Sequence, residues 1–132
     1  MILFLDASAM VAMMTGEAGS PALEERFGAA DEIVCSAISL WEAARAVARK
    51  RTVPITHAFS EIETFVADFA IRLVPIGTTE SHVAVDAYHR YGKGTGHPAK
   101  LNMGDCFAYA CAKANNASLL YKGNDFLHTD LA

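Results

Sequence analysis

The chain has 132 residues, 52% hydrophobic and 20% charged, which suits one packed domain and argues against disorder. Its 11 Lys and Arg against 15 Asp and Glu leave a net charge of −4, which disfavours a basic protein that coats nucleic acid. A membrane span needs about 20 consecutive apolar residues, and no such run occurs.

Residues 1–5 (MILFL) form a continuous apolar run, the pattern of a strand buried on both faces. The run breaks at Asp6 and has no basic leader, so a secretory signal is not expected. Asp6 or Ser8 would cap a helix over residues 9–14. Gly16 and Gly19-Ser20-Pro21 punctuate the chain, and Pro21 suits the first turn of a helix reaching Phe27. Residues 33–35 read as a second strand. Ser39 is expected to open the next helix, with Leu40, Ala44, Val47 and Ala48 on one stripe and an end near Arg51. Another helix starts at about Thr56, with Phe59, Ile62, Val66 and Phe69 at helical spacing.

Residues 73–76 read as a third strand, and Pro75 points to an edge or a strand end. A helix is expected from Thr79 to about Tyr91. Residues 92–100 (GKGTGHPAK) form a basic loop without an acid, and its glycines suggest flexibility. Asn102 opens a helix whose stripe is Met103, Phe107, Cys111 and Ala114. Residues 118–121 (SLLY) are a fourth strand, followed by a Lys122-Gly123-Asn124-Asp125 turn. Strands alternating with helices predict an α/β domain with a mostly parallel sheet of four or five strands. The three cysteines, Cys35, Cys106 and Cys111, lack zinc-type spacing and read as reduced thiols of a cytoplasmic protein.

Four carboxylates hold special places. Asp6 closes the first strand, and Asp125 lies just past the fourth. Glu42 and Asp105 are expected in the first turns of helices, with Ser39-x-x-Glu42 and Asn102-x-x-Asp105 resembling capping boxes. Each acid alone reads as a cap or a turn residue. Ligands of a parallel sheet gather beyond the carboxyl ends of its strands, where helix N-termini also point, so all four are expected to face one crevice. Two like charges ~4 Å apart repel by about 4 kcal/mol at an effective dielectric of ~20. Oxygen-rich sites of this kind suit Mg²⁺ or Mn²⁺. Such ions acidify bound water and support the oxygens of a phosphoryl displacement. With these acids set aside, the remaining acids equal the 11 Lys and Arg in number, so the net negative charge is assigned to one site.

Asp6-Ala7-Ser8-Ala9 after an apolar strand, Ser-Leu-Trp-Glu42, residues 101–108 (LNMGDCFA) and residues 122–126 (KGNDF) with Thr129-Asp130 resemble the PIN-domain ribonucleases. More narrowly, they resemble bacterial VapC toxins of type II toxin–antitoxin pairs, over nearly the whole chain. The resemblance implies one PIN domain over residues 1–132, an α/β/α sandwich around a central parallel sheet. It also implies Mg²⁺- or Mn²⁺-dependent endoribonuclease activity leaving 5′-phosphate and 3′-hydroxyl ends. Asp6, Glu42, Asp105 and Asp125 match the family's acidic quartet. Ser8 matches the hydroxyl that supports the first carboxylate, Asn124 adjoins the fourth acid in the supporting set, and Asp130 is a reserve acid. A VapB-like antitoxin is the implied partner, in a hetero-oligomer, and homodimers are common in the family. Two other readings compete: a non-catalytic scaffold for RNA or protein, and a metal-dependent phosphomonoesterase, although Asp6-Ala7-Ser8 lacks a D-x-D pair.

Other features carry simpler readings. Arg45, Arg49, Lys93 and Lys100, with His97, are candidate contacts for RNA phosphates or else ordinary surface charges. His82, Asp86 and His89 share a helix face, but without HExxH they read as solvated. Cys106 reads as an inert buried thiol, and Ser8 lacks the partners of a nucleophilic serine. Gly92, Gly94 and Gly96 do not form a P-loop. Phe59, Phe65 and Phe69 are assigned to core or interface. Trp41 is expected in the core, with a partner anchor as the alternative.

Overall fold

The computed structural model describes residues 1–132. Its elements alternate as β1 (Ile2–Leu5), α1 (Ala7–Thr15), α2 (Ser20–Ala29), β2 (Glu32–Cys35), α3 (Ala37–Arg51), α4 (Ile55–Asp68), β3 (Arg72–Leu73), α5 (Thr78–Tyr91), α6 (Met103–Ala114) and β4 (Ser118–Leu120). The four strands pair in the order β3-β2-β1-β4, and every pairing is parallel. Residue Phe4 stands beside Val34 on one side and Leu119 on the other.

The central strand explains its own composition. Leu3, Phe4 and Leu5 are fully buried, because β1 has a strand on each edge and helices on each face. Successive side chains leave a strand on opposite faces. Leu3, Leu5, Ile33, Cys35 and Leu120 therefore pack with α1, α3 and α4, around Met10, Val47 and Ile62. Phe4, Val34 and Leu119 pack on the other side with Tyr109, Cys111, Leu101 and Phe126. This gives the α/β/α sandwich that the family resemblance implies. Each fully buried Leu or Phe contributes about 1.5–3 kcal/mol through burial.

Several boundaries differ from the sequence expectation. Helix α3 starts at Ala37, because Ser36 leaves β2 in an extended conformation and its Oγ accepts the Ser39 amide at 3.3 Å. Ser39 is therefore inside the helix, and Glu42 lies in its second turn rather than its first. Strand β3 is only Arg72–Leu73; it lies at the sheet edge, and Pro75 falls beyond it. The 92–100 loop carries hydrogen bonds at its start. Gly92 bridges to Leu101, Thr95 Oγ1 donates to the Gly92 carbonyl at 2.7 Å, and the Tyr88 hydroxyl donates to the Lys93 carbonyl at 2.8 Å.

Trp41 is 55% exposed, not in the core. It lines an apolar groove of about 520 Å³ between α3 and α4, together with Leu40, Ala44, Ile55, Phe59 and Leu73. Phe65 and Phe69 cluster with Phe27. His82, Asp86 and His89 are exposed on α5, and Asp86 pairs with Arg90. No helix is long and apolar enough to cross a membrane.

Candidate active site

The chain adds β2 and then β3 on one side of β1, and afterwards returns to place β4 on the other. The direction of strand addition thus reverses beside β1, which opens a crevice beyond the carboxyl ends of β1 and β4. Asp6 is the residue that leaves β1. Its backbone and side chain both start α1, with the Ser8 amide donating to Oδ2 at 3.1 Å. The Ser8 hydroxyl donates to the same oxygen at 2.5 Å and accepts the Lys122 amide at 3.0 Å. One hydroxyl therefore joins the ends of the two neighbouring strands and fixes the orientation of Asp6.

Asp105 is placed by a complete capping box on α6. Its amide donates to Asn102 Oδ1 at 2.8 Å, and its Oδ2 accepts the Asn102 amide at 3.1 Å. Glu42 reaches the crevice from α3. Its carboxylate lies against the Cα of Gly104, where a Cβ would stand 2.6 Å from Oε1 and closer to Oε2. Asp125 sits exposed on the turn after β4, above the buried Phe126. That turn includes Gly123 at φ +98, a left-handed conformation that glycine adopts without a steric penalty.

The electrostatics tie these acids together. Asp6 and Asp105 are 6% and 9% exposed. Burial raises the Asp6 carboxyl above the usual range against the Ser8 hydrogen bonds, and the Asp125 charge raises it further. Burial, then the charge of Asp6, lifts Glu42 to about 7. Burial also lifts Asp105 to about 7, opposed by the Asn102 amide and reinforced by Asp125, Asp6 and Glu42. None of the four forms an ion pair, whereas Glu17, Asp31, Glu32, Glu61, Asp86 and Asp130 all do.

An all-oxygen set of carboxylates without basic partners fits a hard divalent cation. The arrangement is an acidic pocket rather than a closed cage, since no three carboxylates, thiols or imidazoles already stand in ligating geometry. The Cys106 thiol, behind Asp105, is pushed up to about 11 by burial and that neighbouring charge, so it stays protonated.

Other residues singled out from the sequence have partners of their own or are exposed. Asp130 accepts from the Tyr109 hydroxyl at 2.7 Å and pairs with Lys113, which makes it a clasp on the C-terminal segment. Arg45 lies over the Trp41 ring at 5.8 Å, and Arg49 is exposed further along α3. Lys93, Lys100 and Asn124 are exposed in their loops. Sequence reasoning missed Ser36 and Gly104. A glycine in the first turn of an otherwise strong helix was the available signal for the second.

The PIN domain profile matches residues 3–131. The chain is 40% identical to a VapC ribonuclease of Rhizobium meliloti (strain 1021), with 97% of this chain and 98% of that protein covered. It is 33% identical to ribonuclease VapC42 of Mycobacterium tuberculosis, with 98% and 96% covered. Two solved structures share the fold at 15% identity. One is Mycobacterium tuberculosis VapC20, a sarcin-ricin loop cleaving toxin, with a TM-score of 0.74 over 95% of this chain and 92% of that one. The other belongs to a toxin–antitoxin complex from Klebsiella pneumoniae, with a TM-score of 0.72 over 98% and 93%. By the domain match over residues 3–131 and these near full-length relatives, the chain belongs to the PIN-domain family, among the VapC ribonucleases.

Proposed function

We propose that the chain hydrolyses RNA phosphodiester bonds at the pocket of Asp6, Glu42, Asp105 and Asp125, with Mg²⁺ or Mn²⁺ as the required cofactor. By family it is an endoribonuclease of the VapC toxin kind. The observation that carries the metal reading is that buried Asp6 and Asp105, half-buried Glu42 and exposed Asp125 repel one another and lack any basic partner. A bound divalent cation supplies there the positive charge that offsets phosphoryl oxygens and makes water a better nucleophile.

The chain's own contribution is placement. Ser8 orients Asp6, the capping box orients Asp105, and Gly104 leaves room for the Glu42 carboxylate. The amino end of α6 brings a positive dipole end toward the same crevice. Water oxygen bonds to phosphorus and gives up a proton to solvent as the bond to the 3′ oxygen breaks; that oxygen takes up a proton from solvent, which leaves a 3′-hydroxyl and a 5′-phosphate.

The proposed partner is a VapB-like antitoxin. Support comes from the apolar groove at Trp41, which shares α3 with Glu42, so an amphipathic segment with a basic end would cover groove and pocket together. Total RNA incubated with the purified protein tests the function. Cleavage is expected with Mg²⁺ or Mn²⁺, and its loss with EDTA and in Asp6→Asn and Asp105→Asn. Sequencing of the new ends checks the chemistry. Cleavage that survives both substitutions removes these acids from the reaction, and turnover of phosphomonoesters instead of RNA would favour the phosphatase reading.

A further inference from the structure

We propose that Lys122, backed by Lys50, forms a binding subsite for an RNA backbone phosphate on the α1–α3 side of the acidic pocket, with Glu17 holding both lysines and competing with the phosphate for them. This rests on the ribonuclease reading above.

A cavity of about 470 Å³ opens beside the acids. Glu42 and Ser8 line it together with Glu17, Lys122 and Gly123, and Lys122 is its one basic residue. The Lys122 backbone is fixed to the reaction centre, because its amide donates to the Ser8 hydroxyl that in turn holds Asp6. Its backbone is therefore held close to the first carboxylate, and Glu17 holds its side chain. The ammonium does not turn toward the four acids. It donates to Glu17 Oε1 at 3.1 Å, and Lys50 lies 3.5 Å from the same oxygen.

One carboxylate between two ammonium groups leaves a net positive cluster at the edge of this cavity, with Lys122 in its lining and Lys50 behind Glu17. A polyanion entering the pocket meets repulsion from the acids, and a cation offset from them steadies a neighbouring phosphate. The ion pairs are partly exposed, with 37% of the Lys122 side chain and 26% of the Glu17 side chain accessible. Exposed pairs contribute little, so a phosphate can exchange for Glu17 at small cost.

The two charges make opposite predictions. Binding is read by fluorescence anisotropy of a labelled, phosphorothioate-linked uridine dodecamer in Mg²⁺, across a salt series. Lys122→Gln should weaken binding about tenfold and reduce the salt slope by about 1, while Lys122→Arg keeps both. Glu17→Gln should tighten binding about threefold. Thermal unfolding of each variant confirms that it is folded. Unchanged affinity and slope in folded Lys122→Gln overturns the subsite, and weakening by Glu17→Gln overturns the competition. Failure of the wild type to bind the dodecamer also overturns the subsite, whereas cleavage of total RNA, scored separately, reports on the ribonuclease reading itself.

Discussion

The carboxylate of Glu42 on α3 occupies the space where a side chain at position 104 of α6 would begin. Glycine costs a helix roughly 1 kcal/mol relative to alanine, so its presence in the first turn of α6 reflects this close approach. Gly104→Ala should push the Glu42 carboxylate out of the crevice. RNA cleavage should fall about 100-fold, as expected for a small misplacement of a reacting group. In an Glu42→Ala background the same change should cost no stability, and a thermal-melt double-mutant cycle measures that coupling.

Ser8 ties Asp6 to the backbone of Lys122 through a single hydroxyl. Ser8→Ala removes a donor from a buried carboxylate and an acceptor from an amide. A loss of about 1–3 kcal/mol is expected in denaturant unfolding, together with reduced cleavage. A variant with wild-type stability would mean that neither bond contributes.

The acidic pocket should make stability depend on pH and on the proposed cation in opposite directions. Glu42 and Asp105 are lifted to about 7, chiefly by burial. In the unfolded chain such groups titrate at about 4, so below that value both states are protonated and the pair has no effect. As pH rises from about 4 to about 7 the unfolded chain loses its protons first, so this contribution destabilises the metal-free fold and then levels off. Magnesium needs the ionised carboxylates, so its increase in Tm should grow over the same window. Melting curves in EDTA and in Mg²⁺ between about pH 5 and about pH 8 test this, with Asp105→Asn expected to flatten both trends.

Asp130 should matter for folding and not for chemistry. Burial opposes its ionisation, but bonds from Lys113, Tyr109 and Tyr91 prevail and bring its carboxyl down to about 2. Its stabilising effect is complete above the unfolded value of about 4 and disappears as pH falls toward the folded one. Asp130→Ala leaves the buried Tyr109 hydroxyl without its acceptor and should cost about 1–2 kcal/mol, with cleavage by the folded fraction retained.

The start of α3 gives a separate test. Ser36→Ala should lower stability by about 1 kcal/mol, because it removes the acceptor for the Ser39 amide. Ser39→Ala leaves that amide bonded to Ser36 and should cost less. The reverse order in thermal unfolding would restore Ser39 as the cap.

Local pattern was enough for the alternation of strands and helices, the buried run of β1, and the positions of Asp6, Asp105 and Asp125 at element ends. These follow from backbone hydrogen bonding and side-chain periodicity, which neighbouring residues encode. Position 36 was harder, because Ser36 and Ser39 are both good caps and only the end of β2 chooses between them. The exposure of Trp41 has a similar origin: the packing of α4 against α3 decides which part of the helix is covered. The approach of Glu42 to Gly104, the bond from Lys122 to Ser8 and the bonds of Asp130 to Tyr109 and Lys113 depend on how separate elements pack. Those relations arise from helix and sheet packing geometry among residues far apart in the chain, and so they were settled by the tertiary structure alone.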